Sequence, residues 1–243
     1  MIDYWSAFTA LRKTQFRLFF DQFSSGLWST SSWYGFERDM SVALNSKAPR
    51  TQVYVRELRK DDISVLLNLK DARDGSAFKD RLIRLSMFRA KIPTCYVAVT
   101  RAGVPCHMQW VISADTNNRV RRFTHGGLPT IEENEVLLEN AFTLERYRRQ
   151  GIETEMVRHL LQLMGEKGMK RAILFVSDKN LASLKLVSNL GFTPFNLKTS
   201  RQRFFMRHFT FRKVSREAIE KKTHQKFDHY HAGDVTPGNK LEL

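Results

Sequence analysis

Arg148-Arg149-Gln150-Gly151-Ile152-Glu153 is the stretch on which the fold turns. It follows an apolar run, Val136 to Thr143, that alternates like a strand. It precedes a run whose apolar residues, Met156, Leu160, Leu161, Leu163 and Met164, mark one face of a helix. A basic glycine turn at such a junction can hold a pyrophosphate. Glycine has no Cβ to keep backbone and ligand apart, and the first helical turn offers unpaired N–H groups at the positive end of the helix dipole. The chain is therefore expected to bind a phosphate-bearing cofactor.

Outward from this turn, the neighbouring segments read as alternating strands and helices. Gln52 to Arg56 reads as a strand. Asp61 to Leu69 reads as a short helix capped by Asp61 or Asp62, and Ser76 to Ala90 as a second helix. The second helix has an apolar stripe of Phe78, Leu82, Leu85 and Phe88 or Arg89, with a basic outer face. Cys95 to Thr100 and His107 to Ile112 are strands joined by the hairpin turn Arg101-Ala102-Gly103-Val104-Pro105. Ala172 to Val176 is a further strand, Leu181 to Leu190 a helix, and Phe204 to Phe211 a late strand. This order implies an α/β or α+β fold, a mixed central sheet flanked by helices.

Residues 1–45 read as a separate N-terminal helical extension. Trp5, Phe8, Phe16, Phe19, Phe20, Phe23 and Leu27 share one face at helical spacing. Such a stripe serves packing on the chain's own domain, a homodimer contact, or peripheral contact with a membrane. The segment is neutral overall, which favours packing or dimerisation, because interfacial helices usually carry a basic polar face. Asn45-Ser46-Lys47-Ala48-Pro49 reads as a linker to a domain spanning 50–215, and 216–243 as a charged tail. His224, Asp228, His229 and His231 in that tail lack metal-ligand spacing, so no metal is expected.

The 243 residues carry 40 Lys and Arg against 25 Asp and Glu, a net charge of +15 that favours anionic partners. With 42% hydrophobic residues, the composition is that of a globular domain rather than a disordered chain. The two cysteines, Cys95 and Cys106, argue against a disulfide-built domain. The start Met1-Ile2-Asp3 has an acid where a secretory signal would be basic, and no run of 18 apolar residues occurs, so a cytoplasmic location is expected. Between Lys198 and Arg216, seven basic residues interleave with Phe204, Phe205, Phe209 and Phe211. A strand with one face in the core accounts for this pattern better than a nucleic-acid surface does.

Three motifs in order carry a resemblance: Arg148-x-x-Gly151 at a strand-to-helix turn, Asn180-Leu181-Ala182-Ser183 after the next strand, and Leu190-Gly191-Phe192 after the next helix. Together, over roughly residues 50 to 212, they resemble the GCN5-related N-acetyltransferase (GNAT) superfamily. The resemblance implies acetyl-CoA, or another acyl-CoA, bound where two parallel strands splay apart. It implies that the pyrophosphate sits on Arg148, Arg149, Gln150, Gly151, Ile152, Glu153 and Thr154. The pantetheine arm would pair with the backbone of Phe142 and Thr143, with Asn180 and Ser183 also on the cofactor. Two positions depart from the family pattern: Glu153 stands where Gly or Ala is usual, and Val187 where a Tyr often serves as general acid. The aromatic segment Trp33-Tyr34-Gly35-Phe36-Glu37-Arg38-Asp39 is also similar to an extension on superfamily members that act in surface-polysaccharide biosynthesis, which implies a nucleotide-linked amino sugar as acceptor.

Acyl transfer to an amine needs a base to free the nitrogen lone pair. Glu135, Leu137 and Glu139 alternate onto one face of the strand before the glycine turn. Glu139, following Leu137 and Leu138, is the first candidate base and Glu135 the second; His107 and His125 are further candidates. Arg121, Arg122 and His125 are candidates for contact with a small-molecule amine acceptor, and Arg119, Arg121 and Arg122, expected in a loop, suit a phosphorylated one. A protein or peptide amine, or a non-catalytic binder with this fold, are the alternative readings.

Overall fold

The computed structural model describes residues 28–44, 51–204 and 206–223. The strand signals materialise as an eight-stranded sheet, and the helical signals as helices on both its faces. In chain order the elements are β1 (Trp28–Asp39), β2 (Val53–Glu57), α1 (Asp62–Leu66), α2 (Gly75–Arg89), β3 (Cys95–Thr100), β4 (Pro105–Ile112), α3 (Asn117–Thr124), β5 (Glu135–Thr143), α4 (Ile152–Glu166), β6 (Arg171–Ser177), α5 (Leu181–Asn189), β7 (Thr193–Arg203), β8 (Met206–Lys213) and α6 (Arg216–Thr223). The sheet order is β2-β3-β4-β5-β6-β1-β7-β8, and within it only β5 and β6 run parallel.

The central strands are apolar throughout because both faces are covered. Every residue of β4 is buried. On one face α4 lays down Met156, Val157, Leu160, Leu161 and Met164, joined by Leu184 and Val187 of α5 and Ile219 of α6. On the other face Leu66, Met87 and Val120, from α1, α2 and α3, pack with Val97, Met108, Trp110 and Leu137.

Trp28–Asp39, grouped by the sequence reading with an N-terminal helical unit, is instead a strand in the middle of the sheet. It pairs antiparallel with β6 from Trp33↔Ser177 to Asp39↔Arg171, and with β7 from Trp28↔Arg203 to Glu37↔Thr193. Its period-two alternation sends Tyr34 and Phe36 into the core under α4 and α5, and Trp33 and Gly35 to the opposite face. Arg38, itself buried, donates to the Leu190 carbonyl at 2.8 Å and ties β1 to the end of α5. Arg171 of β6 pairs with Glu37 of β1 on one side and Glu135 of β5 on the other. Residues 1–27, with their apolar stripe, the 45–49 linker and the histidine-bearing tail lie outside the described residues.

Four further segments differ from the sequence reading. β7 was not expected, and the late strand starts two residues later than predicted, at Met206. Arg119, Arg121 and Arg122 lie on helix α3 rather than in a loop. The fourth difference is α2, whose buried line is Arg81, Arg84 and Met87; Leu85 of the expected stripe packs against the core, whereas Leu82 faces out. Arg81 and Arg84 are buried, whereas Leu82 and Ile83 are each 40% exposed. Arg81 Nη2 donates to both Glu145 carboxylate oxygens, at 2.9 and 3.1 Å, and its guanidinium stands 5.4 Å from the Phe142 ring centre. No helix of the described residues is long and apolar enough to cross a membrane.

Candidate functional site

β5 and β6 pair from Glu135↔Arg171 to Leu138↔Leu174 and then separate. Beyond Leu138, β5 keeps β4 on one edge and has no strand on the other. A bulge follows at once. Asn140 and Ala141 stand opposite the single residue Gln109, and Asn140 takes the left-handed conformation at φ 55°. The bulge is why Glu139 and Phe142, three residues apart, can serve the same face.

Arginines cap the carbonyls of this stretch. Arg84 donates to the carbonyls of Asn140 at 3.3 Å and Ala141 at 2.8 Å, and Arg148 Nε to that of Thr143 at 3.1 Å. With those carbonyls engaged, the free edge of β5 is left richer in N–H donors. The Phe142 ring is buried beneath the guanidiniums of Arg81 and Arg84, so its backbone alone is available to a ligand. Thr143 Oγ1 is 2.8 Å from His107 Nδ1.

The glycine turn follows. Arg149 and Gly151 both have positive φ, 63° and 79°, and α4 starts directly after Gly151. The N–H groups of Arg149 through Thr154 donate to no other group among the described residues. Such a row of amides at a helix start fits an anion. Gln150 is held through its carbonyl by the Thr51 hydroxyl and through Nε2 by the Arg146 carbonyl at 3.0 Å. Arg148 is half exposed, with Glu145 3.7 Å away. Ile152 is buried and anchors the turn to the core. Glu153, in the first turn, is half-buried; burial pushes its carboxyl up, against the opposing charge of Arg148.

Glu139 is half-buried at the point of separation. Burial raises its pKa above the ordinary carboxylate value, and the positive charges of Lys198 and Arg84 pull the other way. Lys198, on β7, is 9% exposed, and burial lowers its pKa while Glu139 raises it. The site therefore joins one carboxylate and two cations contributed by β5, α2 and β7.

The other sequence candidates divide. Glu135 sits at the far end of the β5–β6 pairing, bound to Arg171 and accepting from the Glu132 N–H at 3.1 Å, so its carboxylate serves the sheet and not the opening. His107 is fully buried, and burial drives its pKa down to about 3, with Arg84 adding to the effect; a neutral imidazole of that basicity is a poor proton acceptor at neutral pH. Asn180 caps α5, its Oδ1 accepting from the Ser183 N–H at 3.2 Å, and it remains exposed. Val187 is in the core. Arg121, Arg122 and His125 are exposed on α3 and its C-cap, and no recorded contact joins them to Glu139. The loop they lead into does reach β8, where Gly127 lies against the Phe209 ring.

Lys198, Arg84 and Trp33 were missed as site residues. The alternation Asn196-Lys198-Ser200, facing Phe209 and Phe211 on the next strand, was the signal available for Lys198.

The sequence profile of the Acetyltransferase (GNAT) family matches residues 89–192, from the end of α2 to the Leu190-Gly191-Phe192 motif. A comparison with curated proteins finds no match. Among solved structures, the chain is similar to the GCN5-related glucosamine N-acetyltransferase region of a fungal multi-domain β-N-acetylglucosaminidase, with TM-score 0.53, 13% identity, and coverage of 75% of this chain and 22% of that one. It is also similar to a Drosophila protein (TM-score 0.47, 11% identity, 75% and 55% covered). A third is a conserved Staphylococcus epidermidis protein of unknown function (TM-score 0.48, 14% identity, 74% and 63% covered). The chain thus spans less than two thirds of the length of each of these three proteins. Its splayed parallel pair, bulge and glycine turn, together with the matched profile over 89–192, give the described chain the mixed α/β fold of the GNAT superfamily.

Proposed function

We propose that the chain is an acyl-CoA-dependent N-acyltransferase that moves an acetyl group from acetyl-CoA to a primary amine. The observation that carries the reading is the separation of β5 from β6 at Leu138, with unbonded turn amides beyond it and Glu139 at its base. The residues fit the cofactor. Unpaired N–H groups from Arg149 to Thr154 suit a pyrophosphate, and the β5 edge from Glu139 to Thr143 suits a chain of amides. The half-buried Glu153 opposes an anion there, and neutralising its carboxyl lessens the opposition. Bound acetyl-CoA supplies an activated acyl carbon.

The chain's own groups supply the rest. Glu139, its basicity raised by burial, takes the proton of the acceptor amine. Arg84 holds the bulge through the Asn140 and Ala141 carbonyls, and in this reading a backbone N–H near Phe142 polarises the acyl oxygen. The acceptor class that the basic surface and the glucosamine-acetylating fold neighbour support is an amino sugar, nucleotide-linked in the fuller form of this reading.

Two measurements test the proposal. Acetyl-CoA should raise the melting temperature, and thiol release should appear with an amine from a panel of amino-sugar nucleotides, free amino sugars and peptides. Activity on peptides alone would remove the sugar acceptor. Glu139→Gln should lower kcat/KM by about 10²- to 10⁴-fold and abolish the acid limb of the pH–rate profile. That limb lies above the ordinary carboxylate range, because a base with a raised pKa is protonated, and idle, up to a higher pH. An unchanged profile would show that Glu139 is not the base.

A further inference from the structure

Lys198 occupies an unusual place. Its Nζ lies 5.0 Å from the centre of the Trp33 ring, 5.5 Å from Phe175 and 5.4 Å from Phe209. Three different strands, β1, β6 and β8, contribute one ring each. Strand register brings them together: Trp33 is opposite Lys198 across β1–β7, and Phe209 is one pleat away on β8, opposite Ser200. Gly35 makes room for Phe175, whose ring would be 2.8 Å from any Cβ at that position.

Lys198 as a residue is 9% exposed, and no hydrogen bond or ion pair to its ammonium exists among the described residues. Ring faces attract a cation, but an ammonium has three N–H donors, and the rings give them no oxygen. Glu139 is close enough for the two charges to act on each other, yet the pair does not close to an ion pair. Two residues before Lys198 on β7, Asn196 Oδ1 is buried and without a partner. Arg84, the other cation facing Glu139, has its donors engaged by the carbonyls of Asp80, Asn140 and Ala141. The cup therefore has surplus positive charge and unused donors on Lys198, next to a carboxylate placed for an amine.

We infer that Lys198 binds an anionic group on the acceptor, so that the acceptor is a small amine carrying a carboxylate or phosphate, with Trp33, Phe175 and Phe209 against its carbon skeleton. Glu139 and Lys198 then read the two ends of the same molecule, and Asn196 Oδ1 takes a further donor from it. This specificity rests on the proposed acyltransferase reading, but its test does not depend on turnover.

The experiment uses matched amines differing in one charge: serine against serinamide, and glucosamine 6-phosphate against glucosamine. Each is titrated calorimetrically into the full chain without acyl donor, and then assayed for thiol release with acetyl-CoA. The charged member of at least one pair should bind about tenfold or more tightly, the scale of a charge-assisted hydrogen bond. Lys198→Met should bring the ratio near one by weakening only the charged member, and Lys198→Arg should keep most of it, which guards against a loss caused by misfolding. Preference in the serine pair assigns a carboxylate, and in the sugar pair a phosphate. Equal binding of both members, no binding of any, or a preference that survives Lys198→Met would overturn the inference. A Lys198-dependent preference with neither acetyl-CoA binding nor thiol release would instead leave the anion site standing and remove the transferase reading.

Discussion

Gly35→Ala is the most informative single substitution in the sheet. Gly35 lies on β1 between β6 and β7, and its φ is outside the left-handed range, so alanine meets no backbone strain there. What it meets is neighbours. The added Cβ would stand 2.8 Å from Phe175 Cε1, 3.1 Å from Asn196 Cβ and 3.1 Å from Phe195 Cε1. Comfortable carbon contacts are about 3.5–4.0 Å, so three groups on two flanking strands must each yield by several tenths of an ångström. Overpacking of this kind costs about 1–3 kcal/mol, and three contacts at once, one of them rooted in a backbone-fixed Cβ, place this site in the upper half of that range. Alanine also recovers about 0.5–1 kcal/mol, because glycine pays more chain entropy on folding. The net loss is about 1.5–2 kcal/mol. With a urea m-value of ~2–3 kcal/mol/M, the unfolding midpoint should fall by roughly 0.5–1 M. A midpoint within about 0.2 M of wild type, or above it, would refute the packing argument and show that β6 and β7 can separate around β1 at little cost.

Arg81→Met should cost about 3 kcal/mol in chemical unfolding, because it strands Glu145 beside an apolar replacement; adding Glu145→Gln should recover most of that loss, and a cost below about 1 kcal/mol would show that the ion pair is dispensable. His107 makes stability depend on pH. Its folded pKa of about 3 lies below the unfolded value of about 6.5, so the stability it contributes is complete above pH 6.5 and is lost as pH falls toward 3, at up to about 1.4 kcal/mol per unit. His107→Gln should therefore flatten the dependence of the urea midpoint on pH between about 6.5 and 4.5; an unchanged slope would assign that acid sensitivity to other groups.

Legibility in the sequence tracked how locally each signal was written. The β3–β4 hairpin was readable because two apolar runs flank a Gly-Val-Pro turn, and α4 because its stripe starts directly after Gly151. β1 was not, because Ser29 to Ser32 is polar and the preceding aromatics continue a helical spacing across the boundary. β7 failed for the opposite reason. Its inward positions Lys198 and Ser200 are polar, so alternation gave no apolar face to follow, although both side chains are buried. The face of α2 was only partly readable from its own residues: Leu85 does pack inward, but the buried line also holds two arginines. Arg81 and Arg84 turn inward because Glu145 and the bulge carbonyls, some 60 residues away in the chain, wait to receive them. In the site, Glu139 and the glycine turn were legible. The cup around Lys198 was not, since it is assembled by register across four strands.

The position of β1 has a consequence for the order of events in the life of the chain. The strand that comes first among the described residues is hydrogen-bonded on both edges, to partners that lie about 140 and 165 residues further along the chain. Until those are made β1 has nowhere to go, and β6 and β7 cannot close the sheet without it. Such non-local pairing slows folding and leaves two open strand edges in the waiting state. A chain begun at residue 50, where the matched family segment makes a boundary tempting, would keep the glycine turn, yet it would remain in that waiting state for good. Residues 28–39 act toward the rest of the domain as a tethered ligand, and adding them back as a separate peptide should restore solubility to such a truncated chain.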